Sequence, residues 1–62
     1  MTLIKKAINS LPEDQKTVVA LRDIEGLSYD EVATITGLNL GTVKSKLARA
    51  RMNLREKLKD VI

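Results

Sequence analysis

The sequence lacks cysteine and histidine, and Tyr29 is its only aromatic residue. The absence of thiols and imidazoles excludes disulfides, thiolate or imidazole metal sites and histidine acid-base catalysis. One aromatic ring gives no stacking platform for single-stranded nucleic acid. No apolar run approaches the roughly 20 residues of a membrane span, and the opening residues MTLIKKAIN do not have the layout of a signal peptide. These absences lead us to expect no membrane association, no metal and no cofactor, and a cytoplasmic location.

The 62 residues are enough for one small domain. A domain of this size buries only about 60% of the surface that its unfolded chain exposes, which leaves no room for an enclosed active site. Scattered acidic residues on helix surfaces also do not form a paired carboxylate site. We therefore expect that the protein is not an enzyme and has no catalytic residues.

The formal net charge of +3 is distributed unevenly along the chain. Residues 1 to 31 contain four basic and six acidic residues, a net charge of −2. Residues 32 to 62 contain seven basic and two acidic residues, a net charge of +5. A basic half is suited to a polyanion, and an acidic half leaves a surface for another partner.

Hydrophobic periodicity predicts an all-α fold of four helices without strands. The first helix is predicted over residues 2 to 9. The second begins near Pro12, with Ser10 and Leu11 as the two candidates for its N-cap, and runs to about Glu25, where Gly26 ends it. Its buried side chains are expected to be Val18, Leu21 and Ile24.

A capping-box pattern, Ser28-Tyr29-Asp30-Glu31, predicts the start of a third helix over residues 29 to 36. Its buried side chains are expected to be Val32, Ala33 and Ile35. Gly37 then occupies a position where a left-handed conformation is inexpensive only for glycine. Leu38 is expected to enter the core, and Asn39 to cap the fourth helix. This spacing predicts a helix-turn-helix over about residues 29 to 51.

The fourth helix is long and carries one apolar stripe, formed by Val43, Leu47, Ala50, Leu54, Leu58 and Val61. A helical projection places Gly41, Ser45, Ala48, Arg49 and Met52 on the opposite side, flanked by Thr42, Lys44 and Lys46. Small and cationic side chains on an outward face are typical of a recognition helix that enters a DNA groove.

Three groups of residues also point to a family: Leu11-Pro12-Glu13, Gly26-Leu27-Ser28-Tyr29, and Gly41-Thr42-Val43-Lys44-Ser45 with Ala50-Arg51. With them, the chain from Leu11 to about Leu58 resembles the C-terminal promoter-recognition domain, conserved region 4, of bacterial extracytoplasmic-function sigma factors. The resemblance implies a domain that binds the minus-35 promoter element as duplex DNA, reading a short GAAC-like sequence in the major groove. It also implies docking on the beta-subunit flap of RNA polymerase, and an anti-sigma factor as a further partner.

The same resemblance implies roles for individual residues. Base edges or adjoining phosphates would be contacted by Lys44, Ser45, Lys46, Ala48 and Arg49. Gly41 would permit close approach of the DNA, and phosphates would be held by Thr42, Arg22, Ser28 and Tyr29. Asp23 and Glu25 are expected to compete with DNA for Arg22, whereas Arg55, Lys57 and Lys59 are expected to be solvated.

Two positions depart from the common family pattern. Asn39 stands where many relatives have proline, and Lys46 stands where they have arginine. Because lysine lacks the planar fork needed for bidentate contacts, Lys46 is expected to hold a phosphate. Ala48 replaces larger groups and leaves only an apolar contact with a thymine methyl.

Other functional interpretations stay open at this stage. A response-regulator output domain shares the Gly-Leu-Ser entry and the Thr-Val-Lys helix but usually dimerises through a further helix, whereas we expect a monomer. A module that acts mainly by binding polymerase or an anti-sigma factor is a second alternative. A basic helix on a membrane surface is disfavoured because residues 43 to 61 lack Trp and Phe. A complete sigma factor also has an N-terminal polymerase-binding domain, which these 62 residues do not contain, so we expect an excised domain or a fragment.

Overall fold

The computed structural model describes residues 3 to 59, and every structural statement concerns this part of the chain. Its elements are α1 (Leu3–Asn9), α2 (Glu13–Val19), a π-helical segment (Ala20–Ile24), α3 (Tyr29–Thr36) and α4 (Leu40–Leu58). The described residues include no strand, which confirms the all-α prediction. The π segment continues α2 directly, so the two together form the second of the four predicted helices.

The core lies where α4 packs against the three preceding helices. Val18, Val32, Val43 and Ala50 have no exposed surface, and Leu47 is 1% exposed. Full burial of a valine or leucine side chain stabilises a fold by about 1.5 to 3 kcal/mol. The predicted apolar stripe of α4 is therefore confirmed in its first half, Leu54 and Leu58 are half-buried, and Val61 lies outside the described residues.

The start of α2 differs from the prediction. Pro12 is the N-cap and makes no side-chain capping bond, so neither Ser10 nor Leu11 has this role. The Ser10 hydroxyl instead donates to the carbonyl of Ala7 at 2.7 Å, which satisfies the end of α1. The proline fixes the backbone at the entry to the helix without needing a side-chain acceptor.

The π segment explains why the prediction for Ile24 was wrong. Ile24 is 57% exposed, although regular helical spacing placed it in the core. The amide of Glu25 donates to the carbonyl of Ala20, five residues back, at 2.9 Å. This wider turn holds one more residue than an α-helical turn and changes the direction of the side chains that follow. Leu21 still packs against the core.

The prediction for Ile35 was also wrong, since this side chain is 62% exposed. α3 packs on α4 and the π segment through Val32, with Tyr29 and Ala33 packed against the core cluster. Tyr29 and Ala33 lie to one side of Val32 around the helix, and Ile35 lies to the other side. Apolar spacing alone did not show which way this short helix is rotated.

The turn between α3 and α4 follows the prediction. Gly37 has φ 76° and ψ 7°, the left-handed conformation, and its amide donates to the carbonyl of Ala33 at 2.9 Å. Leu38 packs against the core cluster as predicted. Asn39 caps α4, with its side-chain oxygen accepting from the amide of Thr42 at 2.8 Å. The two helices are thus held as a helix-turn-helix.

Candidate nucleic-acid interface

The side of α4 that faces away from the core is exposed along its first half, as predicted. Its members are Gly41, Lys44, Ser45, Ala48, Arg49 and Met52, which we call the outward face of α4. Met52 is 64% exposed, although it is a large apolar side chain. The face thus combines small residues, two cations and one apolar group, which suits contact with base edges and phosphates.

The first turn of α4 presents backbone amides beside this face. The Thr42 amide is used by the Asn39 cap, and the first backbone bond of the helix runs from Val43 to Asn39. The amides of Leu40 and Gly41 precede that bond and point out of the helix end. They carry the positive end of the helix dipole, which favours an anion.

Gly41 itself has no internal reason to be glycine. Its backbone is helical rather than left-handed, and an added Cβ would meet only the side-chain oxygen of Asn39 at 3.5 Å, an ordinary contact. A glycine in a helix costs stability relative to alanine. The fold therefore leaves the backbone of α4 open to close approach from outside at this position.

Three cations surround Tyr29 at the start of α3. The Arg22 guanidinium lies over the ring at 4.9 Å from its centroid, and the Lys44 ammonium at 5.8 Å. Hydrogen bonding from Arg51, and then from Arg22, lowers the pKa of the Tyr29 phenol because these groups stabilise the phenolate. We call these four residues the Tyr29 cluster. Through Lys44 it adjoins the outward face of α4.

Arg22 does not pair with its acidic neighbours, contrary to the expected competition. It donates to the carbonyl of Leu27 at 3.1 Å in addition to its contact with Tyr29, and neither Asp23 nor Glu25 pairs with it. Its Nε is buried without a hydrogen-bond partner among the described residues. The guanidinium therefore stabilises the loop before α3.

Ser28 forms the predicted capping box, which is confirmed. Its hydroxyl accepts from the amide of Glu31 at 3.1 Å, and its amide donates to the Glu31 carboxylate at 2.9 Å. The same bonds lower the pKa of Glu31, because the Ser28 amide stabilises its charged form. A phosphate at this helix end would meet the hydroxyl oxygen and the amides that follow Ser28.

Ion pairs tie both edges of α4 to the preceding helices. Lys46 binds Asp14 at 2.5 Å on one edge, and Arg51 binds Asp23 at 2.9 Å on the other. The Lys46 ammonium lowers the pKa of Asp14 by hydrogen bonding to its carboxylate, and the Asp23 carboxylate raises that of Arg51. Only 25% of the Lys46 side chain is exposed. Lys46 therefore lies at the edge of the outward face and already has an anionic partner.

Arg49 is in a different situation. It lines a shallow groove of about 400 Å³ together with Gln15, Met52 and Asn53, and the Asn53 amide donates to Gln15 at 2.7 Å. Arg49 is exposed and makes no ion pair within residues 3 to 59. Its charge is available to an external anion.

Sequence reasoning missed three contributors to this surface: Arg51, Asp14 and Asp23. Arg51 was noted only as part of a motif and a charge count. Its signal was that motif, Ala50-Arg51, but its partner lies 28 positions earlier in the chain. No local pattern connects residues at that separation.

None of the helices in the described part of the chain is long and apolar enough to cross a membrane.

Residues 1 to 54 match the protein family described as Sigma-70, region 4. The chain is 40% identical over 60 residues to the ECF RNA polymerase sigma-E factors of Haemophilus influenzae and of Escherichia coli K12. These alignments cover 97% of the chain but only 32% and 31% of the two relatives, so the chain spans about a third of their length.

A solved structure is also similar. It is the sigma factor RpoE from Bartonella quintana, crystallised in complex with the anti-sigma factor NepR. The match has a TM-score of 0.86 and 43% sequence identity, and it covers 95% of this chain and 38% of the other.

Proposed function

Because the chain belongs to the sigma-70 region 4 family, we propose that it binds the minus-35 element of promoters as duplex DNA and directs RNA polymerase to them in transcription initiation. The observation that carries the proposal is the continuity of two surfaces. The Lys44 ammonium is 5.8 Å from the centre of the Tyr29 ring, so the first turn of α3 adjoins the outward face of α4. A single DNA duplex can therefore contact both at once.

In this arrangement α4 lies in the major groove. Lys44 and Arg49 reach guanine acceptors or the adjoining phosphates, Ser45 serves as a small donor or acceptor, and Ala48 meets a thymine methyl. Arginine has the planar fork that binds guanine in a bidentate manner, which makes Arg49 the strongest candidate for base recognition. Gly41 lets the groove wall approach the backbone of α4.

Phosphates on the two sides of the groove are held by the helix ends. Tyr29, Ser28 and Arg22 form one anion site, and the amides of Leu40 and Gly41 with the Thr42 hydroxyl form a second. Arg22 and Lys44, which lie over the Tyr29 ring, give a local positive potential that attracts the backbone without reading sequence. Lys46 reaches a phosphate only by leaving Asp14.

The proposed function also requires protein partners. We propose that this domain docks on the beta-subunit flap of RNA polymerase, while an N-terminal domain of the same protein binds the polymerase core. The complex of RpoE with NepR supports an anti-sigma factor as a further partner. We place the protein in the cytoplasm, where promoter DNA and polymerase meet. The domain binds as a monomer and is not itself an enzyme.

The test is binding of the isolated chain to labelled minus-35 and scrambled duplexes, followed by fluorescence anisotropy. Lys44→Ala and Arg49→Ala are expected to weaken binding to the minus-35 duplex, and a lost base contact costs about 1 to 3 kcal/mol and relaxes selectivity at one position. Arg55→Ala and Lys57→Ala remove the same charge near the far end of α4 and serve as controls.

Circular dichroism verifies that each variant keeps the fold. Unchanged affinity of both Lys44→Ala and Arg49→Ala for both duplexes would rule out the outward face as the reading surface. An equal loss in the Arg55 and Lys57 controls would mean that charge alone, and not position, governs binding.

A further inference from the structure

α4 is held at both of its edges by polar side-chain bonds. One edge carries the ion pair between Lys46 and Asp14 and the 2.7 Å hydrogen bond between Asn53 and Gln15. The other edge carries the ion pair between Arg51 and Asp23. In a helical projection from Val43, Lys46 and Asn53 fall on one flank of the outward face and Arg51 on the opposite flank. The outward face therefore lies between two anchored edges.

These bonds add a directional restraint to the one that the buried core already places on α4. Beneath α4 the contacts of Val43, Leu47 and Ala50 are apolar, and burial of apolar surface has no preferred direction. A rotation of α4 about its own axis lengthens the polar bonds on at least one flank. The two ion pairs thus help the core to fix the angle at which Lys44 and Arg49 leave the domain surface.

The same pairs also remove two cations from the DNA-facing charge. Lys46 and Arg51 are neutralised by Asp14 and Asp23, whereas Lys44 and Arg49 make no ion pair within the described residues. Cations that contact phosphates raise affinity for every DNA sequence. In a minus-35 complex the base contacts fix the position of α4, whereas in a non-specific complex the domain can shift until a freed cation meets a phosphate. Holding Lys46 and Arg51 on carboxylates therefore lowers the affinity for non-promoter DNA by more than the affinity for the minus-35 element.

We propose that Asp14 and Asp23 are positioning residues that determine specificity: they orient α4 and withhold Lys46 and Arg51 from the DNA backbone, which raises the ratio of minus-35 to non-specific affinity. This inference rests on the proposed function. Asp14 and Asp23 are acidic and themselves repel DNA, so their role in DNA recognition is indirect.

The experiment compares Asp14→Asn and Asp23→Asn with two matched controls, Glu13→Gln and Glu25→Gln. Each control removes one negative charge from the same stretch of chain. Within residues 3 to 59, Glu13 forms one ion pair, with Lys16 in its own helix, and Glu25 pairs with no residue of α4. Anisotropy titrations with minus-35 and scrambled duplexes at several salt concentrations give the affinities and salt slopes.

We expect both asparagine variants to bind the scrambled duplex up to about fivefold more tightly than the glutamine variants do. An exposed ion pair changes an equilibrium constant by a factor of about that size. The slope of log K against log salt should steepen by about 0.9 for each released cation that reaches a phosphate. The ratio of minus-35 to scrambled affinity should fall by a similar factor.

Lys46→Met separates orientation from charge release, because it breaks the pair without freeing a cation. It should weaken minus-35 binding by more than it weakens scrambled binding. Asparagine variants that match their glutamine controls in ratio and slope would overturn the inference alone. Equal binding of both duplexes by the unaltered chain would overturn the proposed function and this inference with it.

Discussion

Replacement of Gly37 by valine tests the turn on which the whole DNA-reading geometry depends. Gly37 has φ 76°, a conformation that a β-branched residue strongly resists, and an added Cβ would meet no atom within 4 Å. The cost therefore comes from the backbone and not from a clash, and we expect it to be about 1 to 3 kcal/mol. A 62-residue domain has roughly 3 to 9 kcal/mol of stability in total, so the loss is large.

Thermal unfolding followed by circular dichroism measures this effect. In a domain of this size 1 kcal/mol shifts Tm by about 4 to 8 °C, so Gly37→Val should melt roughly 5 to 20 °C lower than the parent. Gly37→Asn is the matched control, because asparagine tolerates the left-handed region, and it should melt close to the parent. An unchanged Tm for the valine variant, or an equal loss for asparagine and valine, would refute the argument from backbone conformation.

Three other predictions follow from the interface. Gly41→Ala should raise stability by about 0.4 to 1 kcal/mol in thermal melts while weakening minus-35 binding, and unweakened binding would mean that DNA does not approach this backbone. Tyr29, as the sole tyrosine, should ionise below its usual pKa of about 10 in an ultraviolet absorbance titration, and Arg51→Met should raise the midpoint while Arg55→Met leaves it in place. DNA binding by the isolated domain should be weak, with a slope of log K against log salt of about −3 to −5, and nanomolar binding without salt dependence would contradict the model of phosphate contacts.

The elements that sequence alone predicted correctly depend on neighbours within about four positions. The Ser28 to Glu31 capping box, the Asn39 cap and the left-handed Gly37 each follow from side-chain chemistry that acts over one helical turn. The outward face of α4 was also predictable, because a long helix with one apolar stripe has only one side left for solvent. The motifs that carry the family resemblance lie in these same locally determined segments.

The rotation and continuity of the shorter elements were decided by packing. Ile35 is exposed because α3 turns Val32, Tyr29 and Ala33 toward its neighbours, and nothing in eight residues of sequence states that preference. Ile24 is exposed because the second helix widens into a π turn, which the apolar spacing did not signal. In both cases several rotations bury similar apolar area, and contacts from other helices select one.

The charge pattern of the interface was likewise settled only by tertiary structure. Sequence alone assigned Lys46 to a phosphate and gave Arg51 no role of its own, but their partners Asp14 and Asp23 lie 32 and 28 positions away. An ion pair depends on the distance between two charges in space, and the sequence specifies that distance only through the completed fold. Local chemistry therefore determined which helix we propose to read DNA, and the packing of α2 and the π segment determined which of its cations already have an anionic partner.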